Sequence, residues 1–290
     1  MRLSLTITDY SWPDGPARLA DHLARVIAAA DGAGLDTVWI PDHLLQCAPG
    51  TSPTDAMLEA YTTLGYLAAR STRVRLGTAV TGVTFRPPSL LIKAVTTLDV
   101  LSGGRAWLGI GAGYHLEEAR AMGLPLPATR QRFEHLEDAL RLALQMWSGD
   151  DTPFDGTHHR LERPVNSPNS LQRPHPPILI GGAGEKRTLR LVAQYGDACN
   201  LFDIPDGGQT LTRKLAVLAR HCDDLGRPYA DIDKTVSTRL APGESPDEFV
   251  RRCIALAALG IDHAVVLTDG PWTTESLATL AAARPALEAV

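Results

Sequence analysis

Lysine is nearly absent from this chain. Of 28 basic residues only Lys93, Lys186, Lys214 and Lys234 are lysines, and the other 24 are arginines. That bias, beside abundant alanine, is the mark of a GC-rich genome rather than of a function. Cysteine is scarce too. Cys47, Cys199, Cys222 and Cys253 lie far apart without a CxxC pair, so they suggest no disulfide framework for 290 residues. Aromatic residues make up only 6%. No uninterrupted apolar run approaches the ~20 residues of a membrane span. The N-terminal Met1–Asp9 stretch is too short an apolar run for a signal peptide. The basic excess that nucleic acid or an anionic membrane would attract is missing, because the net charge is −5. What remains is a reduced, cytoplasmic, soluble protein. Its 44% hydrophobic and 21% charged residues suit a globular core.

Several catalytic signatures are missing as well. There is no HExxH, no Cys/His cluster and no GxSxG, which argues against a metal site and an α/β-hydrolase. His158 and His159 are adjacent, and on a strand they would point to opposite faces, so they make no ligand pair.

What is present is alternation. Apolar runs at 3–8, 37–40, 74–81, 106–110, 178–180, 198–202, 234–239 and 263–267 read as strands, with helical patterns between them. Phe133, Leu136, Leu140, Leu144 and Trp147 recur every three or four residues and predict one buried helix face. Pro53-Thr54-Asp55 predicts a helix start before the apolar stretch 57–68. Ser245-Pro246 predicts another, with a serine cap and proline in the first turn. Eight strand–helix alternations favour a (β/α)8 TIM barrel over an open sheet, as one α/β domain spanning residues 1–290. Residues 149–177 carry six prolines and little periodicity. They predict an inserted Pro-rich extension, with a short hairpin at Phe154-Asp155-Gly156-Thr157-His158.

Ligands of such barrels sit where strands end, so four segments matter. Asp42-His43 follows the second strand, a carboxylate and an imidazole able to orient a ligand and move a proton. Gly77-Thr78-Ala79-Val80-Thr81-Gly82 ends the third with small residues against which a flat ligand can lie. Gly109-Ile110-Gly111-Ala112-Gly113-Tyr114-His115 follows the fourth. It is not a dinucleotide fingerprint, because GxGxxG would need glycine at Tyr114 or Leu116. Gly181-Gly182-Ala183-Gly184 leads from a strand into a helix with Lys186 and Arg187 close by, and predicts an anion site on backbone N–H groups.

In this order, the segments VWIPDHLLQ (38–46), RLGTAVTGVTFRPPSLLIKAVTTLDVLSGGRAWLGIGAGY (75–114), RFEHLEDALRLALQMWSG (132–149) and RPHPPILIGGAGEKRTLRLVAQYGDACNLF (173–202) resemble the bacterial luciferase-like monooxygenase superfamily. The nearest likeness is to its actinobacterial branch that uses the deazaflavin coenzyme F420, and it runs over nearly the whole chain. The resemblance implies that Asp42 bonds the polar edge of the cofactor and that His43 faces its reactive ring. It implies a bulge at Thr78, Ala79 and Val80 with a non-prolyl cis peptide at Ala79–Val80. It places Gly111 and Gly113 close to the cofactor, and Gly181, Gly182, Ala183 and Gly184 on its phosphate. Two departures stand out. Where sugar-phosphate dehydrogenases of the group carry Glu and Trp, this chain has Tyr114 and Cys47. That weakens the case for a glucose 6-phosphate substrate and for a His–Glu pair doing acid–base work.

The resulting expectation is an F420-dependent oxidoreductase. It transfers hydride between the deazaflavin and a C=C, C=N or C=O of a small organic substrate, or in reverse, with His43 as the proton-transferring residue and Tyr114 or His115 behind it. An FMN-dependent monooxygenase and a non-catalytic flavin-binding barrel are the alternatives. A Schiff-base aldolase is disfavoured because the lysines fall on helices or strand starts. Substrate walls are expected from residues 149–177 and 203–210, and a homodimer by analogy.

Overall fold

The computed structural model describes every residue from Met1 to Val290 except Pro49. Eight parallel strands close into a barrel: β1 (Arg2–Thr6), β2 (Thr37–Asp42), β3 (Arg75–Gly82), β4 (Ala106–Gly111), β7 (Ile178–Gly181), β8 (Ala198–Phe202), β9 (Asp233–Arg239) and β10 (His263–Leu267). They pair in chain order, and β1 closes the ring on β10 with Arg2 opposite His263. Each expected strand is present with ends shifted by no more than two residues. Parallel strands buried on both faces read as continuous apolar runs, which is why they were visible.

Helices wrap the outside: α1 (Leu19–Ala33), α2 (Ala60–Ala68), α3 (Pro88–Ser102), α4 (Leu116–Met122), α5 (Thr129–Ser148), α6 (Thr188–Tyr195), α7 (Gln209–Leu225), α8 (Pro246–Ala258) and α9 (Thr274–Leu287). The predicted stripe of α5 packs on the core; Leu136, Leu140 and Trp147 are buried, with Phe133 and Leu144 against them. Ser245 caps α8 in a reciprocal capping box with Glu248. α2 starts later than expected. Its cap is Glu59, whose carboxylate accepts from Thr62 N–H at 2.6 Å, and Pro53–Asp55 only makes a turn ahead of it. Among the described residues no helix is long and apolar enough to cross a membrane.

A cluster of strand residues alone, Trp39, Trp107, Leu179, Ala198 and Val265, supports Ala79 and Val80 from below. The backbone of β3 leaves regular register on both sides there, between Gly77 and Thr81 towards β4 and opposite Ile40 and Asp42 of β2. Thr78 Oγ1 donates to Gly109 O at 2.7 Å, and Thr81 Oγ1 donates to Thr78 Oγ1 at 3.1 Å. A Cβ on residue 109 would lie 1.6 Å from the Thr78 carbonyl oxygen, so only glycine lets the irregular strand sit where it does. The Ala79–Val80 peptide is cis, as expected.

The Pro-rich extension does carry the predicted hairpin, with β5 (Phe154–Asp155) antiparallel to β6 (Arg160–Leu161). Its histidines differ from expectation. His158 and His159 sit in the hairpin loop, not on a strand, and both turn to His135 of α5: His158 stacks on it at 4.1 Å and His159 Nε2 lies 3.0 Å from its Nδ1. The rest of the extension runs down the outer side of α3. It is fastened there by the buried carboxylate of Asp99, which accepts from Leu171 N–H (2.6 Å), Gln172 N–H (3.2 Å) and Gln172 Nε2 (2.7 Å). Removing a buried acceptor leaves its donors without partners. Asp99→Ala is therefore expected to lower unfolding stability by about 2–3 kcal/mol, with Asp99→Asn losing less, as read by denaturant titration. An unchanged Asp99→Ala midpoint would contradict this fastening role.

Candidate active site

The C-terminal ends of the strands surround a cavity of about 1150 Å³, ample for a cofactor together with a small substrate. Its wall brings together Asp42, His43, Ala79, Val80, Gly111, Gly113, Tyr114, His115, Gly181 and Gly182. Thr78, Ala183 and Gly184 are not on that wall. Thr78 is fully buried beneath it and pins the bulge, while Ala183 and Gly184 continue the loop after β7. The expectation that residues 149–177 line the substrate side is corrected. None of them touches the cavity, because Asp99 holds that segment outside the barrel; the segment after β2 takes its place, through Gln46, Cys47, Ala48, Thr51 and Met57. Of the expected 203–210 segment, Asp203 alone lines the cavity, beside Phe202 at the end of β8.

His43 is organised by a carboxylate that the sequence reading did not find. Glu118, in the first turn of α4, has no exposed side-chain surface, and its Oε2 lies 2.7 Å from His43 Nδ1. Its Oε1 accepts from Leu44 N–H at 2.6 Å and Leu45 N–H at 3.1 Å, which ties down the segment behind His43. Burial pushes the Glu118 carboxyl up, but the hydrogen bond and charge of His43 and the two backbone donors outweigh it. The net direction is below the ordinary carboxylate range. An ionised carboxylate can only accept, so the proton shared across this contact sits on His43 Nδ1. Nε2 donates to and accepts from nothing among the described residues, and His43 lines the cavity. His43 does have a glutamate partner: Tyr114 stands at the position where the sugar-phosphate dehydrogenases carry their Glu, and the acid comes from Glu118, four residues further on.

The other two candidates differ in what they can do. His115 caps α4, with its Nδ1 accepting from Glu118 N–H at 3.1 Å, so that nitrogen is already used. Tyr114 stands at the rim with 71% of its surface exposed and its ring edge-on to His43 at 6.0 Å. Cys47 is nearby; burial first, then the charges of Glu118 and Glu117, push its thiol up to about 11.

Asp42 is buried and held by a cation. Arg86 Nη1 and Nη2 meet its two oxygens at 2.5 and 3.1 Å, and Nη2 also reaches Glu59 at 2.5 Å. The same guanidinium lies over the Tyr61 ring, and Tyr61 Oη is 2.9 Å from Thr81 Oγ1, which links the acid to the bulge. Arg86, like Glu118, carries no motif; its only signal was a charge inside an apolar stretch just before Pro87-Pro88.

The loop after β7 fits an anion. Gly182 has φ +107°, open to glycine, and among the described residues the N–H groups of Gly182, Ala183 and Gly184 donate to no protein acceptor. The helix begins only at Thr188, whose Oγ1 faces this turn. Lys186 is exposed and off the cavity wall, and Arg187 lies over the Phe133 ring, so neither takes the place expected for it. A different cation lines the cavity. Arg132 donates through Nη1 to Gly113 O and through Nη2 to Thr129 Oγ1 at 2.9 Å, and its buried Nε has no partner among the described residues. No carboxylate neutralises it among those residues.

The luciferase-like monooxygenase family profile matches residues 1–283. An F420-dependent glucose-6-phosphate dehydrogenase of Kineococcus radiotolerans is 34% identical over 238 residues, covering 80% of this chain and 66% of that protein. The chain therefore spans just under two thirds of that relative's length. Among solved structures, an F420-dependent secondary alcohol dehydrogenase bound to an F420–acetone adduct superposes with a TM-score of 0.83 at 15% identity, over 99% of this chain and 98% of that one. A monooxygenase from Streptomyces bottropensis gives 0.81 at 20% identity, over 97% and 98%. With barrel and sequence in agreement along its length, the chain belongs to the luciferase-like monooxygenase family.

Proposed function

We propose that this protein is a coenzyme F420-dependent oxidoreductase, moving hydride between the deazaflavin and a small organic substrate. The observation that carries the proposal is the pairing, in one cavity, of an oriented imidazole with a floor of small residues and a loop of free N–H donors. The residues fit the cofactor. Ala79, Val80, Gly111 and Ala112 offer a flat apolar surface for its ring system, and the turn at 182–184 with Thr188 offers donors for its phosphate. Arg132 adds an uncompensated positive charge on the same wall. The names of the relatives and structural neighbours support the deazaflavin over FMN and over a merely binding barrel. When bound, the deazaflavin supplies the hydride chemistry, and the protein supplies position and proton transfer.

The chain's own part follows from His43. With Nδ1–H held by Glu118, Nε2 presents a lone pair to the cavity and can take the proton of a carbinol as it is oxidised. In reduction the protonated imidazole returns that proton to the product. The buried carboxylate stabilises the imidazolium in either direction, and its two backbone bonds prevent it from following the ring. Asp42 is held in place beside this site by the two bonds from Arg86.

Fluorescence titration of the purified protein with the oxidised deazaflavin and with FMN tests the reading. Saturable binding of the deazaflavin at tenfold or more lower concentration than FMN is expected; the reverse order would overturn it. A second expectation concerns the pair. His43→Ala lowers kcat by about 10²–10⁴-fold with little change in cofactor affinity, and Glu118→Gln lowers it by a smaller factor. Undiminished kcat in both variants would remove His43 from proton transfer.

A further inference from the structure

Cys47 follows His43 by four residues, and Glu118 reaches the same place from α4. One ligand atom from each, a His43 ring nitrogen, the Cys47 Sγ and a Glu118 carboxylate oxygen, lie within 4.8 Å of one another. Among the described residues no other group of three such side chains converges so closely. We propose that His43, Cys47 and Glu118 form a site for a soft divalent cation of the zinc type, opening onto the cavity. The inference does not depend on which cofactor the barrel binds.

The donor set selects the ion. A thiolate, an imidazole and a carboxylate match the ligands of zinc, while magnesium and calcium prefer oxygen alone. Three protein ligands leave a fourth tetrahedral position, and two of them, His43 and Cys47, line the cavity. His43 Nδ1 and Glu118 Oε2 now share one proton across 2.7 Å. A metal in place of that proton needs bonds of about 2.0–2.2 Å on each side, which at a tetrahedral angle widens the pair by roughly 0.6–0.9 Å. His43, partly open to solvent, can absorb that shift by turning its ring. Glu118 Oε1 keeps its bonds to Leu44 and Leu45 N–H and so orients the ligand from behind.

The protons balance simply. Cys47 gives its thiol proton to solvent and loses its 3.2 Å bond to Leu45 O. The His43 proton moves from Nδ1 to Nε2, and Glu118 binds as it already stands, ionised. One proton is released per metal, and thiolate and carboxylate neutralise the cation. The metal-bound state also has a consequence: Nε2 of His43 then carries hydrogen and cannot accept a proton from the cavity.

Cobalt(II), a coloured substitute for zinc, reads the site directly. The full chain without added cofactor is titrated with Co²⁺ under anaerobic conditions. We expect one equivalent to raise a thiolate-to-cobalt charge-transfer band in the near ultraviolet together with visible bands of a four-coordinate ion, both erased by Zn²⁺. Cys47→Ser, nearly the same size, loses the charge-transfer band. His43→Ala and Glu118→Gln each weaken binding at least about tenfold. His135→Ala leaves the band unchanged, because the His135, His158 and His159 cluster contains no sulfur. Three results would overturn the site: no thiolate band at one equivalent, a band that survives Cys47→Ser, or unaltered affinity in both His43→Ala and Glu118→Gln.

Discussion

A carboxylate taken wholly out of water is costly unless donors surround it, and the active end of this barrel is arranged around one. Glu118 joins α4 to the segment after β2 through two backbone N–H groups and the His43 ring. Without it, His43 would be a side chain on an irregular stretch of chain, free to choose rotamer and tautomer. With it, one ring nitrogen is committed and the other is offered to the cavity. His115, capping the helix that carries Glu118, belongs to the same construction rather than to the chemistry.

The floor is built by different means. The irregular end of β3 depends on Gly109, on the hydroxyl chain from Thr78 through Thr81 to Tyr61, and on the tryptophan layer beneath. None of these groups needs to touch a ligand. They keep Ala79 and Val80 in place, while Gln46, Cys47, Ala48, Thr51, Met57 and Tyr114 supply another part of the wall from loop residues. Holding one reactant rigidly while the other side is open to specialisation is how a barrel supports many reactions. Cys47, on that loop-built part of the wall, gives this chain a donor set that a tryptophan would not.

The sequence revealed the barrel almost residue by residue because most strands, such as β1, β4, β7 and β10, are short apolar runs buried on both faces, while β9 (DKTVSTR) showed through its β-branched residues and its place in the alternation. It revealed the glycine-rich strand ends and Asp42-His43 for a related reason: position after a strand is itself informative in this fold. It did not reveal Glu118, Arg86 or Arg132. Each is a single charge whose meaning depends on a partner 75, 44 and 19 residues away, respectively, and no local pattern marks such a pairing. The proline-rich extension fails differently. Its composition announced a long loop correctly, but nothing in the loop says that Asp99 of α3 draws it to the outer wall instead of over the cavity. Likewise, Met57-Leu58 looks helical by apolarity, yet Glu59 turns inward as a cap and starts α2 at Ala60.

The central claim is spatial: a deazaflavin ring lies on Ala79 and Val80, its phosphate on the turn at 182–184, and its reactive face towards His43. A crystal structure of the protein with the oxidised deazaflavin bound measures this in one step. The account predicts phosphate oxygens within hydrogen-bonding distance of the Gly182–Gly184 N–H groups and His43 Nε2 facing the space above the ring, with Nδ1 still on Glu118. A ring bound away from Ala79–Val80, or a phosphate on the opposite rim near Arg239 and Asp269, would contradict it.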